Sequence, residues 1–289
     1  MSTCPDWRFI NSGPCRAAFN MALDEAILLS VKEGNSPPTL RVYSWREPTV
    51  SVGYNGKKDR ELDLERCRKA GICLVRRPTG GRAVYHSNEL TYSVAGPGNT
   101  DWLGRSTGES YRIIAGAIKI SLALLGADLD IASSAGKSDG WKRQYLKTPC
   151  FNSISRYEIT HGRRKLVGSA QRRLGESRAF LEQGSLLLKN EQGLLAELMP
   201  ESLAPEERSR LRNYLSQRAV GLEEIVGRLV AFDEVAECFL HGFGKAFGCS
   251  FTLSGPSEEE MALAKRLEEE IYSTLIEYRK NPLLLSSDS

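Results

Sequence analysis

Lys147-Thr-Pro-Cys-Phe-Asn-Ser-Ile-Ser-Arg-Tyr-Glu-Ile-Thr-His-Gly-Arg-Arg-Lys-Leu-Val-Gly-Ser-Ala-Gln171 is the stretch around which the rest of the chain can be read. A cysteine follows a proline, and two β-like runs, 157–160 and 165–171, flank His161-Gly-Arg-Arg164. The pattern predicts a hairpin whose turn is set by Gly162. Such pairing can bring the Cys150 thiol to face the Lys165 ammonium. Only the thiolate is a good nucleophile, and a nearby cation lowers a cysteine pKa from about 8.5 toward neutrality. Both residues also have a plain reading: a free cysteine as a small buried hydrophobe, and a hairpin lysine as a solvated side chain.

Upstream, 20–30 has apolar residues at helical spacing, with Asn20 as a candidate N-cap. Residues 39–45 and 48–54 alternate with period two and predict two strands joined by a short turn. A β-like run at 72–77 stops at Pro78. Thr79-Gly-Gly-Arg-Ala-Val-Tyr-His86 and Glu89-Leu-Thr-Tyr-Ser-Val-Ala95 predict a hairpin entered through a glycine pair. Helical spacing over 107–125 ends at Gly126, and the small, glycine-bearing stretch 133–140 predicts a mobile loop ahead of Cys150, placed to act as a cover.

Downstream, 179–188 is a strand candidate and 192–199 a short helix. From Pro205 the chain reads as helices over 205–212, 222–230, 232–247 and 258–279. Strands interleaved with helices, then a helix-rich tail, predict an α+β fold with a mixed, mainly antiparallel sheet and flanking helices.

With 289 residues, 41% of them hydrophobic, the chain is long enough for a sizeable core. A formal net charge of +3 is too balanced for a protein wrapped around nucleic acid. Seven cysteines without CxxC spacing argue against a disulfide framework, and three histidines without paired Cys/His spacing argue against a structural zinc site. No apolar run approaches the roughly 20 residues that span a bilayer, and no signal segment opens the chain, so the cytoplasm is the expected location.

Gly80-Gly81 lets a ligand touch backbone and offers amide N–H groups to a carbonyl or phosphate, with Arg76, Arg77 and His86 beside it. A glycine pair is also an ordinary turn, and a lone histidine an ordinary structural group. Resemblance weights these readings. Asn20-Met-Ala-Leu-Asp-Glu25, Arg76-Arg-Pro-Thr-Gly-Gly-Arg-Ala-Val-Tyr-His86 and Lys165-Leu-Val-Gly-Ser-Ala-Gln171 resemble, in order, three blocks of the lipoate-protein ligase and octanoyltransferase family. The likeness runs from about residue 7 to about residue 250 and implies a catalytic fold shared with biotin-protein ligases. It divides the chain into a catalytic domain, 1–250, and a helical C-terminal extension, 251–289.

ATP-dependent ligases of this family carry a third glycine where Arg82 stands and need no thiol at Cys150. Thr148-Pro-Cys-Phe-Asn152 is similar to the nucleophile segment of the cysteine-dependent octanoyltransferases. That likeness implies catalysis by Cys150 and Lys165, substrate contacts at Arg77, Gly80, Gly81, His86, Gly168 and Ala170, and no cofactor or metal. It implies octanoyl-acyl carrier protein as donor and a lipoyl domain, such as the glycine cleavage H protein, as acceptor. Backbone N–H groups near Gly80-Gly81 or Gly168 are oxyanion candidates, and Lys165 or His86 a proton acceptor. Tyr43, Val50, Val52 and Val84 are candidates for an apolar groove, and the arginine clusters suit acidic partners. An ATP-dependent ligase, a relay amidotransferase between lipoyl domains and a non-catalytic acyl-binding module remain as alternatives.

Overall fold

The central hairpin forms as its sequence dictates. In the computed structural model, which describes residues 6–54, 62–133, 156–175 and 179–273, β8 (Ile159–His161) pairs antiparallel with β9 (Arg164–Arg173) across a two-residue loop. Gly162 enters that loop at φ 59, a left-handed conformation that glycine adopts without steric cost. Cys150 and the expected covering loop, apart from Ser133, lie outside the described residues.

The hairpin belongs to an eight-stranded sheet ordered β11-β1-β2-β6-β10-β9-β8-β7. Its strands are β1 (Trp7–Cys15), β2 (Thr39–Trp45), β6 (Glu89–Gly96), β7 (Asp130–Ile131), β8, β9, β10 (Phe180–Leu187) and β11 (Phe251–Leu253). Only β1 with β2 and β1 with β11 pair in parallel, so the sheet is mixed and mainly antiparallel. β4 (Cys73–Arg76), β3 (Thr49–Val52) and β5 (Val84–His86) make a second, three-stranded sheet.

Helices α1 (Ala17–Lys32), α2 (Leu64–Lys69) and α3 (Thr107–Ala123) flank these sheets. α3 is closed at its start by a capping box, with Ser106 bonding the Glu109 amide and the Glu109 carboxylate returning to the Ser106 amide. Its apolar face joins Phe239 and Phe243 of helix Phe232–Phe247 over one side of the large sheet. On the other side, α1 brings Met21, Leu23, Ile27 and Leu28 against Tyr43 and Leu181. A third core unites the small sheet with segment Gln192–Leu198 and helix Pro205–Arg218.

One expected connection resolves differently. The strands at 79–86 and 89–95 do not pair with each other: the chain changes sheets at Ser87-Asn88, so that β5 joins β3 while β6 runs between β2 and β10. β6 is buried along its whole length, with Leu90, Tyr92 and Val94 in the α3-side core and Glu89, Thr91 and Ser93 hydrogen-bonded on the other face. Period two reveals such a strand but not its partner. β2 and β3 are joined by a short turn, as expected, and belong to different sheets. Asn20 is not the cap of α1, which begins at Ala17 after Arg16; it lies buried inside the helix and bonds outward to β2.

β1 and β11 have no counterpart in the sequence reading. Part of segment 251–289 is therefore built into the large sheet, and helix Glu258–Leu267 packs on α1. Arg8 of β1 holds Glu260 of that helix through two hydrogen bonds of 2.7 and 2.6 Å, both side chains buried.

Candidate functional site

The pairing register lines up one row of residues across four strands: Tyr43 opposite Thr91, Thr91 opposite Ser185, and Ser185 opposite Gly168. All four line a cavity of about 260 Å³, enclosed further by Met21, Trp45, Ala170 and Gln183 on the large-sheet side. The small sheet and its loop supply Ser51, Arg77, Gly81, Arg82, Val84 and His86. The cavity thus occupies the seam between the two sheets.

Lys165 reaches this cavity through a defect in strand pairing. Ile159 faces Val167 but Thr160 faces Lys165, so β9 carries one extra residue, Leu166. In a regular strand Lys165 would share a face with Val167, which is packed in the α3-side core. The bulge changes the parity and brings Lys165 onto the cavity side with Gly168 and Ala170, the kind of re-aiming such bulges perform. Lys165 is 2% exposed, and its Nζ donates to Glu158 Oε1 at 2.7 Å. Lys165 and Glu158 thus form a buried ion pair at the cavity edge.

The Gly80-Gly81 loop is shaped from beneath by Arg77. Its Nε and Nη2 donate to Gly80 O at 3.0 and 2.6 Å, Nη2 also reaches Arg82 O at 2.8 Å, and Nη1 reaches Ser51 O and Oγ at 3.1 and 3.0 Å. Gly81 sits at φ 100, a conformation that favours glycine, and a Cβ on Gly53 would come within 2.2 Å of Gly81 O, so Gly53 is required by the close passage of the loop.

The polar floor is held by two buried carboxylates. Asp24 of α1 accepts from Arg41 Nη1 and Ser93 Oγ on Oδ1, each at 2.7 Å, and from Tyr43 OH at 2.8 Å and Gln183 Nε2 at 2.7 Å on Oδ2. Gln183 Oε1 in turn accepts from Thr79 Oγ1 at 2.7 Å, tying α1 to the glycine loop. Burial, and then the Asp24 charge, hold the Tyr43 phenol well above its ordinary pKa, so it stays a donor. The second carboxylate, Glu89, binds His86 Nδ1 at 2.8 Å while His86 Nε2 meets Ser51 Oγ at 2.7 Å and the imidazole stacks on Trp45 at 4.3 Å.

Of the residues expected at a site, Lys165, Arg77, Gly81, His86, Gly168 and Ala170 line one cavity. Gly80 does not line it, its carbonyl being the anchor for Arg77. Tyr43 and Val84 also line the cavity, whereas Val50 and Val52 pack into the third core. Both ring nitrogens of His86 are engaged, and Lys165 Nζ is engaged as a donor to Glu158. Sequence reading missed Asp24, Glu89, Glu158, Trp45 and Gln183. Asn20 and Asp24 carried a signal, two polar residues one turn apart on an apolar helix; the others are joined only by tertiary pairing.

The sequence pattern of the lipoyl protein ligase A/B catalytic domain matches residues 16–244. The chain is 38% identical over 274 residues to octanoyltransferase LipM of Anoxybacillus flavithermus, covering 93% of this chain and 96% of that one. It is 40% identical over 262 residues to octanoyltransferase LipM of Moorella thermoacetica, covering 90% and 93%. Among solved structures, lipoate-protein ligase A bound with ATP superposes with a TM-score of 0.73 at 26% identity, covering 93% of this chain and 97% of that one. A structure from work on a bi-partite lipoate protein ligase and its E2 lipoyl domain from Thermoplasma acidophilum gives 0.74 at 25% identity, covering 93% and 94%. Matched along most of its length, with the three motif blocks gathered about one cavity, the chain belongs to the lipoyl protein ligase A/B catalytic domain family.

Proposed function

We propose that this chain transfers an octanoyl group from octanoyl-acyl carrier protein to Cys150, and from Cys150 to a lysine of a lipoyl domain such as the glycine cleavage H protein. Octanoyl transfer in protein lipoylation, an acyltransferase activity, is the function carried by its LipM relatives, which match it over nearly their whole lengths. The structural observation that supports the cysteine route is Lys165, turned by the β9 bulge into the cavity and clamped by Glu158.

In the first step the Cys150 thiolate attacks the donor thioester carbon, and backbone N–H groups near Gly81 or Gly168 take the oxyanion. The carbon–sulfur bond to the carrier breaks, and Lys165 protonates the departing carrier thiolate. In the second step the acceptor amine attacks the acyl-cysteine, Lys165 takes back the proton, and the Cys150 thiolate leaves. An amide is formed and the resting thiolate–ammonium pair is restored. One thioester is exchanged for another before the favourable step to an amide, so no ATP enters. Arg77 acts by shaping the glycine loop, and the apolar cavity walls Met21, Tyr43, Trp45 and Val84 receive the acyl chain.

The test is the intact mass of the protein after incubation with octanoyl-acyl carrier protein without ATP. An octanoyl adduct on the wild type, absent from Cys150→Ala, is expected. Strict ATP dependence with full activity in Cys150→Ala overturns the proposal and favours the ligase reading. Octanoylated H protein offered with an unmodified dehydrogenase domain separates a relay from a carrier-dependent transferase.

A further inference from the structure

We infer that Glu89 is the positioning residue that fixes the acyl-selective wall of the cavity. It does not line the cavity and is 2% exposed. Yet its Oε1 receives donors from four residues that do: His86 Nδ1 at 2.8 Å, Ser185 Oγ at 3.0 Å, Thr91 Oγ1, and Trp45 Nε1 at 3.1 Å, the indole N–H being shared with Thr91 Oγ1 at 2.8 Å. These stand on β5, β10, β2 and β6, so one oxygen joins the small sheet to three strands of the large one. Its other oxygen, Oε2, has no hydrogen-bond partner among the described residues.

The proton inventory explains the arrangement. An indole nitrogen can only donate, and an imidazole nitrogen facing a carboxylate oxygen must carry its proton. Ser51 Oγ receives Arg77 Nη1 and keeps its own proton for His86 Nε2, so a continuous chain runs from the glycine loop through Ser51 and His86 to Glu89. The Trp45 indole, stacked on that imidazole and edge-on to Tyr43 at 5.9 Å, therefore has its tilt set by Glu89, directly and through Thr91, and by the His86 ring. Without the carboxylate, four buried donors lose their common acceptor, and the wall is free to turn toward any polar group in reach.

This inference rests on the reading that the acyl chain occupies this cavity. A well-formed apolar pocket discriminates one methylene by roughly 10-fold or more, and that discrimination depends on a fixed wall. The experiment compares kcat/KM for hexanoyl-, octanoyl-, decanoyl- and dodecanoyl-acyl carrier protein. Glu89→Gln keeps an oxygen in place for all four donors and should leave the chain-length profile within about threefold of wild type. Glu89→Ala should lower the octanoyl-to-decanoyl ratio about 10-fold, chiefly through KM.

A proportional loss at every chain length, or an unchanged profile, overturns the inference, because a merely structural role scales all substrates alike. If Glu89→Ala does not fold, the double variant Thr91→Val with Ser185→Ala removes two of the four donors with little change of shape; it should shift the ratio in the same direction, and an unchanged ratio overturns the inference. Val84→Trp, which fills the cavity from the small-sheet side, separates the two levels. Wild-type octanoyl transfer by that variant overturns the cavity reading itself. Loss of transfer there, alongside merely proportional losses in the Glu89 variants, overturns only the role of Glu89.

Discussion

Asp24 and Glu89 are both buried carboxylates on one face of the large sheet, and each gathers four side-chain donors, yet the loads are distributed differently. Asp24 shares its donors evenly between two oxygens and is neutralised by Arg41, with both side chains fully buried. Glu89 takes all four on one oxygen, and its basic partner is His86, which is charged only when protonated. An arginine is a permanent cation and a histidine a conditional one. The first hub is built to hold elements together regardless of conditions. The second holds the wall made by Trp45, His86, Thr91 and Ser185, while the first holds Tyr43 and Gln183 of the same cavity.

The sharpest way to break this contrast is Arg41→Met. Besides neutralising Asp24, Arg41 donates to Asn20 Oδ1 at 2.6 Å and to Ser12 Oγ at 2.9 Å. Removing one partner of a buried ion pair leaves an uncompensated charge, so urea unfolding should show a loss of about 3–5 kcal/mol. The fraction that remains folded should keep its KM for octanoyl-acyl carrier protein. A loss under about 1 kcal/mol, the range of an exposed pair, would place Asp24 outside the scaffold.

A third buried carboxylate sharpens the comparison from the opposite face. Glu182 accepts from Tyr92 OH at 3.1 Å and Gln171 Nε2 at 3.0 Å, and burial pushes its pKa up to about 8. The folded state therefore binds this proton more tightly than the unfolded chain does. Its contribution is fully present below the ordinary carboxylate range and is lost as pH rises through about 8. Glu182→Gln should flatten the fall in urea midpoint between pH 6 and pH 9, a smaller effect than that of Arg41→Met. An unchanged slope would show that another group carries the pH dependence.

The hairpin was legible because Gly162 and the flanking alternation are local signals, and the helices because their apolar periods are long. Partnerships were not. Nothing near Trp45 announces that its indole will bond Glu89, 44 residues away. The bulge at Leu166 was hidden for a related reason: Lys165-Leu-Val167 reads as the start of an ordinary strand, and strict alternation would have put Lys165 in the apolar core. Resemblance implied Lys165 at the reacting end, and only the register explains how it comes to line the cavity. The glycine pair was legible as a loop, while its shape depends on Arg77 and on Gly53 just past β3.

Glu158 falls between the two hubs, since it has a cation but the cation serves the cavity. Whether Lys165 acts on Cys150 is the central claim, and the most direct measurement is the pH dependence of iodoacetamide labelling at Cys150 in the wild type and in Lys165→Ala. A neighbouring ammonium favours the thiolate, so the variant's labelling profile should move to higher pH by about one unit or more, with octanoyl transfer slowed accordingly. Superimposable profiles would contradict the account and remove Lys165 from the activation of the thiol.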